Sequence, residues 1–183
     1  MSEHAEPDIT ELETRESKLV KDHPIHHVFG QLFLVVSHAI PYELRFTHKL
    51  FTIDDCINYI GFCDDFGPMN LGSIHQFCAI ISNENASSPT SKLALYTSPN
   101  PIIMTNTTFL LGSYLIMIHG WETDRVSEKF DDLRKFFIPY RDVSPGIQNF
   151  SLHLRDCWDG LLKAKKLSWV SFGPSGFDPV STC

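Results

Sequence analysis

The chain has 183 residues, of which 43% are hydrophobic and 20% are charged. This composition fits one globular domain with a sizeable core and excludes a largely disordered polypeptide. The formal net charge of −7 argues against nucleic-acid binding, because basic side chains on phosphates supply most of that affinity. The longest apolar run, residues 109–118, is shorter than the ~20 residues that cross a bilayer, so we expect no membrane association.

The first 28 residues are polar and acidic, and they lack the apolar stretch of a secretory signal. We predict a flexible acidic tail over residues 1–28, with a marginal helix as the alternative, and one folded domain over residues 29–183. We expect an intracellular protein, in the nucleus or the cytoplasm. His23, His26 and His27 have metal-like spacing, but no cysteine or carboxylate is fixed beside them. We therefore expect no metal and no cofactor.

The first predicted elements are two strands and a short helix. Residues 31–37 form a continuous apolar run with β-branched side chains, which predicts a buried strand. Residues 42–51 alternate in part, and we predict that they pair with it as an edge strand. Residues 52–59 indicate a short helix with Thr52 as its N-cap.

A longer helix is predicted after the Gly-Pro pair at positions 67 and 68, since proline suits the first helical position. Its buried face repeats at helical spacing through Leu71, Ile74, Phe77, Cys78 and Ile81. The polar segment 83–91 then predicts a loop.

The second half alternates in the same way. Residues 93–97 predict another buried strand. The helix after it is apolar nearly all round and should be central, with Thr105 or Asn106 as its cap and Gly120 at its C-terminal end. Thr123 is predicted to cap an amphipathic helix. A last helix over about residues 147–166 should bury Phe150, Leu154, Cys157, Trp158 and Leu161.

Strands that alternate with helices predict an α/β domain with three layers, in which a mainly parallel sheet is flanked by helices. Right-handed crossovers would place the loop at 96–106 at the carboxyl end of the sheet, where such folds keep their sites. The five cysteines form no CxxC pair, and their odd number in an intracellular chain indicates free thiols.

Three motifs, taken in order, carry a resemblance to a known family. They are the segment Phe66-Gly67-Pro68-Met69-Asn70-Leu71, the segment Phe109-Leu110-Leu111-Gly112-Ser113-Tyr114, and Pro139-Tyr140-Arg141-Asp142 followed by Asp156-Cys157. Together they resemble the N-terminal domain of the cell-division-cycle-fourteen family of dual-specificity protein phosphatases. The similarity spans about residues 31–177. It implies the dual-specificity phosphatase fold, with a structural role for the motif residues Phe66, Gly67, Pro68, Asn70, Pro139, Arg141 and Asp142.

In that family two phosphatase-like domains stand in tandem, and this chain resembles only the first. The second carries the Cys-x5-Arg signature and performs catalysis, whereas the first has lost it and helps to select substrates. The resemblance therefore implies a non-catalytic module that docks a protein: a catalytic phosphatase domain, a phosphoprotein substrate or a second copy of itself. The alternative is the N-terminal half of a longer dual-specificity phosphatase. A small-molecule or phosphate-binding α/β protein ranks last, because no glycine-rich phosphate loop is present.

No cysteine in the chain fits Cys-x5-Arg. The residues six positions after the first four cysteines are Phe62, Met69, Glu84 and Lys163, and Cys183 is the last residue. A thiolate nucleophile and an arginine that clamps the phosphoryl oxygens are therefore missing.

The degenerate active loop shows the same loss. It comprises Thr97, Ser98, Pro99, Asn100, Pro101, Ile102, Ile103, Met104 and Thr105. It has no cation, and its two prolines remove N–H donors. Ser98 stands near the nucleophile position without an evident base, so we expect no catalysis from it. The apolar residues 102–104 form either an exposed partner surface or part of the core.

Three aspartates, Asp64, Asp65 and Asp142, are the remaining candidates for a general acid. We favour caps and ion pairs for them, because these are the commoner roles of such carboxylates.

Overall fold

A computed structural model describes residues 25–59, 67–141 and 149–172. Its main sheet has four strands: β1 (Ile25–Phe29), β2 (Leu32–Val36), β3 (His48–Phe51) and β4 (Lys92–Thr97). Their order across the sheet is β1-β2-β4-β3. β4 pairs in parallel with both β2 and β3, whereas β1 is antiparallel to β2. The predicted α/β class is confirmed, with a mixed sheet in which two of the three pairings are parallel.

The helices of the described residues are α1 (Leu44–Thr47), α2 (Leu71–Ser87), α3 (Pro101–Met117), α4 (Thr123–Lys129), a 3-10 helix (Asp131–Phe136) and α5 (Leu154–Lys166). Two short strands, β5 (Tyr140–Arg141) and β6 (Ser151–Leu152), form a separate antiparallel pair. Among the described helices, none is long and apolar enough to cross a membrane.

α3 is the centre of the domain, as its apolar sequence predicts. Residues 104–117 of this helix are all buried. It packs on α5, where Gly112 leaves room for the indole of Trp158: a Cβ at Gly112 would lie 2.3 Å from a ring carbon of that indole. The same indole donates its N–H to the carbonyl of Phe109 at 3.1 Å. This close contact fixes α3 between the sheet and α5.

The prediction of an edge strand over residues 42–51 is confirmed only for residues 48–51, and its predicted pairing partner was wrong. Residues 44–47 form the single helical turn α1, and only 48–51 are extended. That strand pairs with β4, because β1 and β4 occupy both sides of β2. The helix predicted over residues 52–59 is a turn closed by the N–H of Ile57 on the carbonyl of Ile53, and the Thr52 hydroxyl accepts from the Asp54 N–H at 3.2 Å.

Several predicted helix ends differ from the observed ones. α2 begins at Leu71 with Asn70 as its cap, not at Pro68, and it continues through most of the predicted loop 83–91. Asn70 Oδ1 accepts from the Ser73 N–H at 2.9 Å, and this cap starts the helix at Leu71, three residues after the proline. α3 begins at Pro101, so Thr105 and Asn106 lie inside it.

The last two helices are shorter than predicted. Thr123 is the first residue of α4 rather than its cap, and α4 gives way to the 3-10 helix after Lys129. α5 begins at Leu154, and Phe150, predicted to be buried in it, is 56% exposed.

The N-terminal boundary also differs, because β1 begins at Ile25, inside the predicted tail. His26 and His27 are strand residues: the first shares a hydrogen bond with the carbonyl of Lys129 at 2.8 Å, and the second with that of Gly30 at 3.0 Å. The described residues contain no cluster of side chains suited to a metal ion. His23 and the predicted tail residues 1–24 lie outside the described part of the chain.

Candidate functional site

The candidate site is the turn from β4 into α3, at the carboxyl end of the parallel strands. Thr97 ends β4, and its carbonyl accepts from the Ser37 N–H at 3.2 Å. Its hydroxyl lies 3.0 Å from that of Thr107 in α3, and both residues are buried. The turn is therefore fixed to the neighbouring strand on one side and to the central helix on the other.

Asn100 caps α3 through its side chain. Its Oδ1 accepts from the N–H of Ile102 at 3.0 Å and from that of Ile103 at 3.3 Å. Its backbone carbonyl accepts from the N–H of Met104 at 2.9 Å. Pro101 follows the cap at the first helical position, where proline is tolerated. One asparagine thus satisfies the N–H groups that a helix start would otherwise present to a ligand.

Between residues 99 and 103 the turn offers no further backbone donor. Pro99 and Pro101 have no N–H. The N–H of Asn100 points to Ser98 Oγ, 3.2 Å away. From residue 99 to residue 103, every backbone nitrogen is therefore either a proline or bonded within the turn. Such a turn cannot surround a phosphate with N–H groups unless it first breaks its own bonds.

Ser98 is the one hydroxyl at the nucleophile position, and it is half-buried. Among the described residues, its hydrogen bond comes from Asn100, not from a histidine, lysine or carboxylate. A serine needs an adjacent base to act as a nucleophile. The geometry therefore uses Ser98 to close the turn.

The apolar stretch of the turn is largely core. Met104 is completely buried and Ile102 is half-buried, whereas Ile103 is 39% exposed. Thr105, also buried, donates to the carbonyl of Pro101 at 2.6 Å and accepts from the N–H of Ile138 at 3.3 Å. Of the two interpretations of residues 102–104, the core fits two of the three side chains.

Two described thiols have the wrong protonation state for nucleophilic chemistry. Burial raises the pKa of Cys78 to about 12, and burial together with the nearby Asp156 raises the pKa of Cys157 to about 12. Catalytic cysteines need the opposite shift. Cys56 is exposed, whereas Cys63 and Cys183 lie outside the described residues.

The first family motif meets α3 close to the turn. The N–H of Gly67 donates to Asn106 Oδ1 at 3.3 Å, in a buried position. A Cβ on Gly67 would lie 1.8 Å from the ring of Tyr59, so no larger residue fits there without a shift. Asn70, in the same motif, caps α2. Pro68 is exposed in the link between them, and Phe66 lies outside the described residues.

The third family motif, at residues 139–142, includes β5. Pro139 is half-buried, and Arg141 pairs with Ser151 of β6 through the backbone. Asp142, together with Asp64 and Asp65, falls outside the described residues, so the three acid candidates stay predictions.

Asn100 and Asn106 are the two side chains that most shape this site, and sequence reasoning assigned neither role. The signal for Asn100 was present, because Asn followed by Pro is a typical cap and first-turn pair. Nothing in the local pattern indicates that Asn106 reaches a glycine 39 positions earlier.

The chain matches one known protein family over most of its length. The family model for the N-terminal half of dual specificity protein phosphatases matches residues 27–164. The human dual specificity protein phosphatase CDC14C is 31% identical over 157 residues, covering 82% of this chain and 34% of its own length.

Two further relatives show the same pattern. The tyrosine-protein phosphatase CDC14 of Saccharomyces cerevisiae is 29% identical over 150 residues, covering 79% of this chain and 26% of its own length. The tyrosine-protein phosphatase cdc-14 of Caenorhabditis elegans is 31% identical over 134 residues, covering 69% of this chain and 19% of its own length. The chain thus spans about a third or less of these relatives. It belongs to the CDC14-type dual-specificity phosphatase family, whose N-terminal half it represents.

Proposed function

We propose that this chain is a non-catalytic phosphatase-like domain that docks a protein. The observation that carries the proposal is the closed turn at Asn100, where prolines and internal hydrogen bonds account for the backbone nitrogens of residues 99–103. The turn keeps the strand–loop–helix shape of a phosphate site. Its backbone N–H groups nevertheless bond within the turn itself.

Electrostatics support the same proposal. Residues 97–105 contain no lysine or arginine, so a phosphate dianion would have no positive partner within the turn. Burying an unpaired charge costs several kcal/mol, roughly, even after relaxation. Opening the Asn100 cap would cost about 1 kcal/mol more. Neither cost has a compensating contact among the described residues of the turn.

The first test is enzymatic. The purified full chain should hydrolyse neither p-nitrophenyl phosphate nor phosphopeptides above the buffer rate, while a relative with Cys-x5-Arg, assayed beside it, turns over. Ser98→Ala and single Cys→Ser variants should give the same blank rate. A steady rate that any one of these substitutions abolishes would disprove the proposal.

The second test concerns the partner, for which we propose a catalytic phosphatase domain or a phosphoprotein. Tagged chain is mixed with the separately expressed catalytic half of a relative and analysed by light scattering. A one-to-one complex supports docking in trans. A dimer of this chain alone would identify a second copy as the partner, and a monomer under all conditions would count against docking to either.

A second candidate function rests on length. The chain spans about a third of its relatives, and the matching family model describes an N-terminal half. On this proposal the 183 residues belong to a longer dual-specificity phosphatase, and dephosphorylation is a property of the whole. Sequencing the transcript past codon 183 decides between the two: an open frame that encodes Cys-x5-Arg favours the longer enzyme, whereas a stop codon favours the separate module.

A further inference from the structure

The two faces of the main sheet are covered very differently by the described residues. α2, α3 and α5 contribute to the large core on the first face. Against the second face the described cluster contains one helix residue, Leu44 of the single-turn α1. Sheets made mostly of parallel pairs are normally buried on both sides. Among the described residues, the second face therefore carries far less of a helical layer than the first, although its central residues Val35 and Ala94 are completely buried.

Strand register defines this second face. His27, Phe33, Ala94 and Leu50 lie side by side across β1, β2, β4 and β3. The next row toward the carboxyl end of the parallel strands contains Ile25, Val35 and Tyr96, and the row before it contains Lys92 and His48. The strand positions on this face thus include no carboxylate.

Aromatic contacts link these rows into one surface. The ring of Phe33 lies 5.1 Å from those of both His27 and His48, and Lys92 Nζ lies 5.9 Å from the same ring. Beside this group, the rings of Tyr42 and Phe46 pack edge-to-face with their centroids 4.9 Å apart, and these residues are 68% and 71% exposed. An apolar surface of this kind with a cation at its edge suits an amphipathic segment that carries negative charge.

The position of the chain ends points to one such segment. Residues 1–24 join the sheet at Ile25, which is itself a residue of the second face and 45% exposed. The other end of the described chain leaves on the opposite side, where the ring of Phe172 lies 5.1 Å from that of His75 in α2. Of the two ends of the described chain, the N-terminal one therefore adjoins the second face.

The sequence of residues 1–24 matches the surface in charge and in length. It holds seven carboxylates and three lysine or arginine side chains. Thr10 and Glu13 have capping-box spacing, and Leu12, Leu19 and Val20 share one side of the helix that this spacing predicts. A helix over residues 11–21 would be about 16 Å long, and four strands span about 14 Å from first to last.

We propose that the second face is a docking surface for an acidic amphipathic helix, and that residues 1–24 of this chain occupy it. The leucines and Val20 would lie on the Phe33–Tyr96 surface, with the carboxylates toward Lys92. A short tether holds the segment at an effective concentration on the order of millimolar. It would therefore outcompete a second copy of the chain at micromolar concentration, and the net charge of −7 further disfavours self-association.

Hydrogen exchange of the full chain, followed by mass spectrometry, tests the proposal. Amides of residues 11–21 should exchange at least about tenfold more slowly than in an unstructured peptide. Leu12→Glu with Leu19→Glu should remove this protection. The matched control, Thr14→Glu with Ser17→Glu, adds the same charge on the opposite side of the predicted helix and should retain it.

Variants of the surface provide the second arm. Lys92→Glu should speed exchange of residues 11–21 several-fold, whereas Lys163→Glu, on an exposed position of α5, should leave it unchanged. Unprotected amides in the unmodified chain would overturn the proposal, as would equal protection in both leucine and control variants. Protection that rises with protein concentration would assign the surface to a second copy instead.

Discussion

At the scale of single residues, Asn100 has the clearest role in the candidate site. Two backbone N–H groups share its Oδ1, and its own N–H is bonded to Ser98. An asparagine at this position stabilises the helix and excludes a ligand by the same contacts. One side chain therefore both caps the helix and occupies N–H groups that an anion would need.

Two substitutions of Asn100 test how much its cap contributes to stability. Asn100→Ala should lower the free energy of unfolding by about 1 kcal/mol, the usual cost of a lost N-cap. Asn100→Asp should keep most of the stability, because a carboxylate accepts the same bonds and favours the positive end of the helix dipole. Urea denaturation of the three proteins measures both effects. Equal stability of the alanine variant and the parent would show that the cap contributes nothing.

His119 gives the domain a dependence on pH. Its ring packs between Phe29 at 4.1 Å and Tyr114 at 4.9 Å, and its Nε2 is buried without a hydrogen-bond partner among the described residues. Burial lowers the pKa of His119 below 6.5, and the charge of Lys165 lowers it further. The unfolded chain therefore binds a proton more readily than the folded one as pH falls.

The difference between the folded and unfolded pKa of His119 predicts how the free energy of unfolding changes with pH. The stability that neutral His119 contributes should be fully present above the pKa of this histidine in the unfolded chain. It should decline as pH falls from about 7 toward 5. His119→Phe should flatten the profile in this window, while a smaller slope remains from His48, whose pKa burial and Lys92 also lower. Thermal denaturation at closely spaced pH values measures both slopes. A steeper decline in the variant would contradict this assignment.

At the scale of elements, the sequence predicted those strands and helices that a local run of apolar residues is enough to determine. Strands β2 and β4 and the helix α3 are long apolar runs, and each was identified within a few residues. β3 was assigned to the wrong neighbour, because strand pairing depends on where the rest of the sheet lies. The start of α3 was missed for a different reason. Thr105 and Asn106 have side chains that often cap helices, but both residues lie inside α3. There the Thr105 hydroxyl bonds to the carbonyl of Pro101, and Asn106 Oδ1 accepts from the N–H of Gly67.

The contact between α3 and α5 predicts opposite outcomes for two glycines. Gly112→Ala places a Cβ 2.3 Å from a carbon of the Trp158 ring and should destabilise by about 1–3 kcal/mol through overpacking. Gly160→Ala, in α5 with no atom within 4 Å of its Cβ, should instead stabilise by up to about 1 kcal/mol. Urea denaturation of both variants gives the comparison. Effects of the same sign would show that the indole moves aside freely.

At the scale of the whole molecule, one continuous core joins the sheet to its helices. It extends from Val28 in β1 to Val170 beyond α5 and includes Cys78 of α2. Because residues so distant in sequence share one core, they should lose their packing at the same time. This arrangement favours a single cooperative unfolding transition. Access to Cys78 should therefore require opening of the domain as a unit.

Thiol labelling measures that opening. In native buffer Cys78 should react with a maleimide much more slowly than the exposed Cys56, by far more than tenfold. Its rate should rise with urea at the slope of global unfolding, because no smaller fluctuation exposes the centre of α2. A urea-independent rate for Cys78 would instead indicate local opening of that helix.

The closed turn also limits how this domain could change through evolution or engineering. A cysteine at position 98 and an arginine nearby would supply the groups of a phosphatase, yet Asn100 would still hold the helix N–H groups and two prolines would still lack theirs. Several coordinated substitutions, each costly by itself, would be needed before phosphate chemistry gained any advantage. If the domain is non-catalytic, as proposed above, one substitution at position 98 would therefore not create a phosphate site, and a search for active variants should begin by redesigning the whole turn.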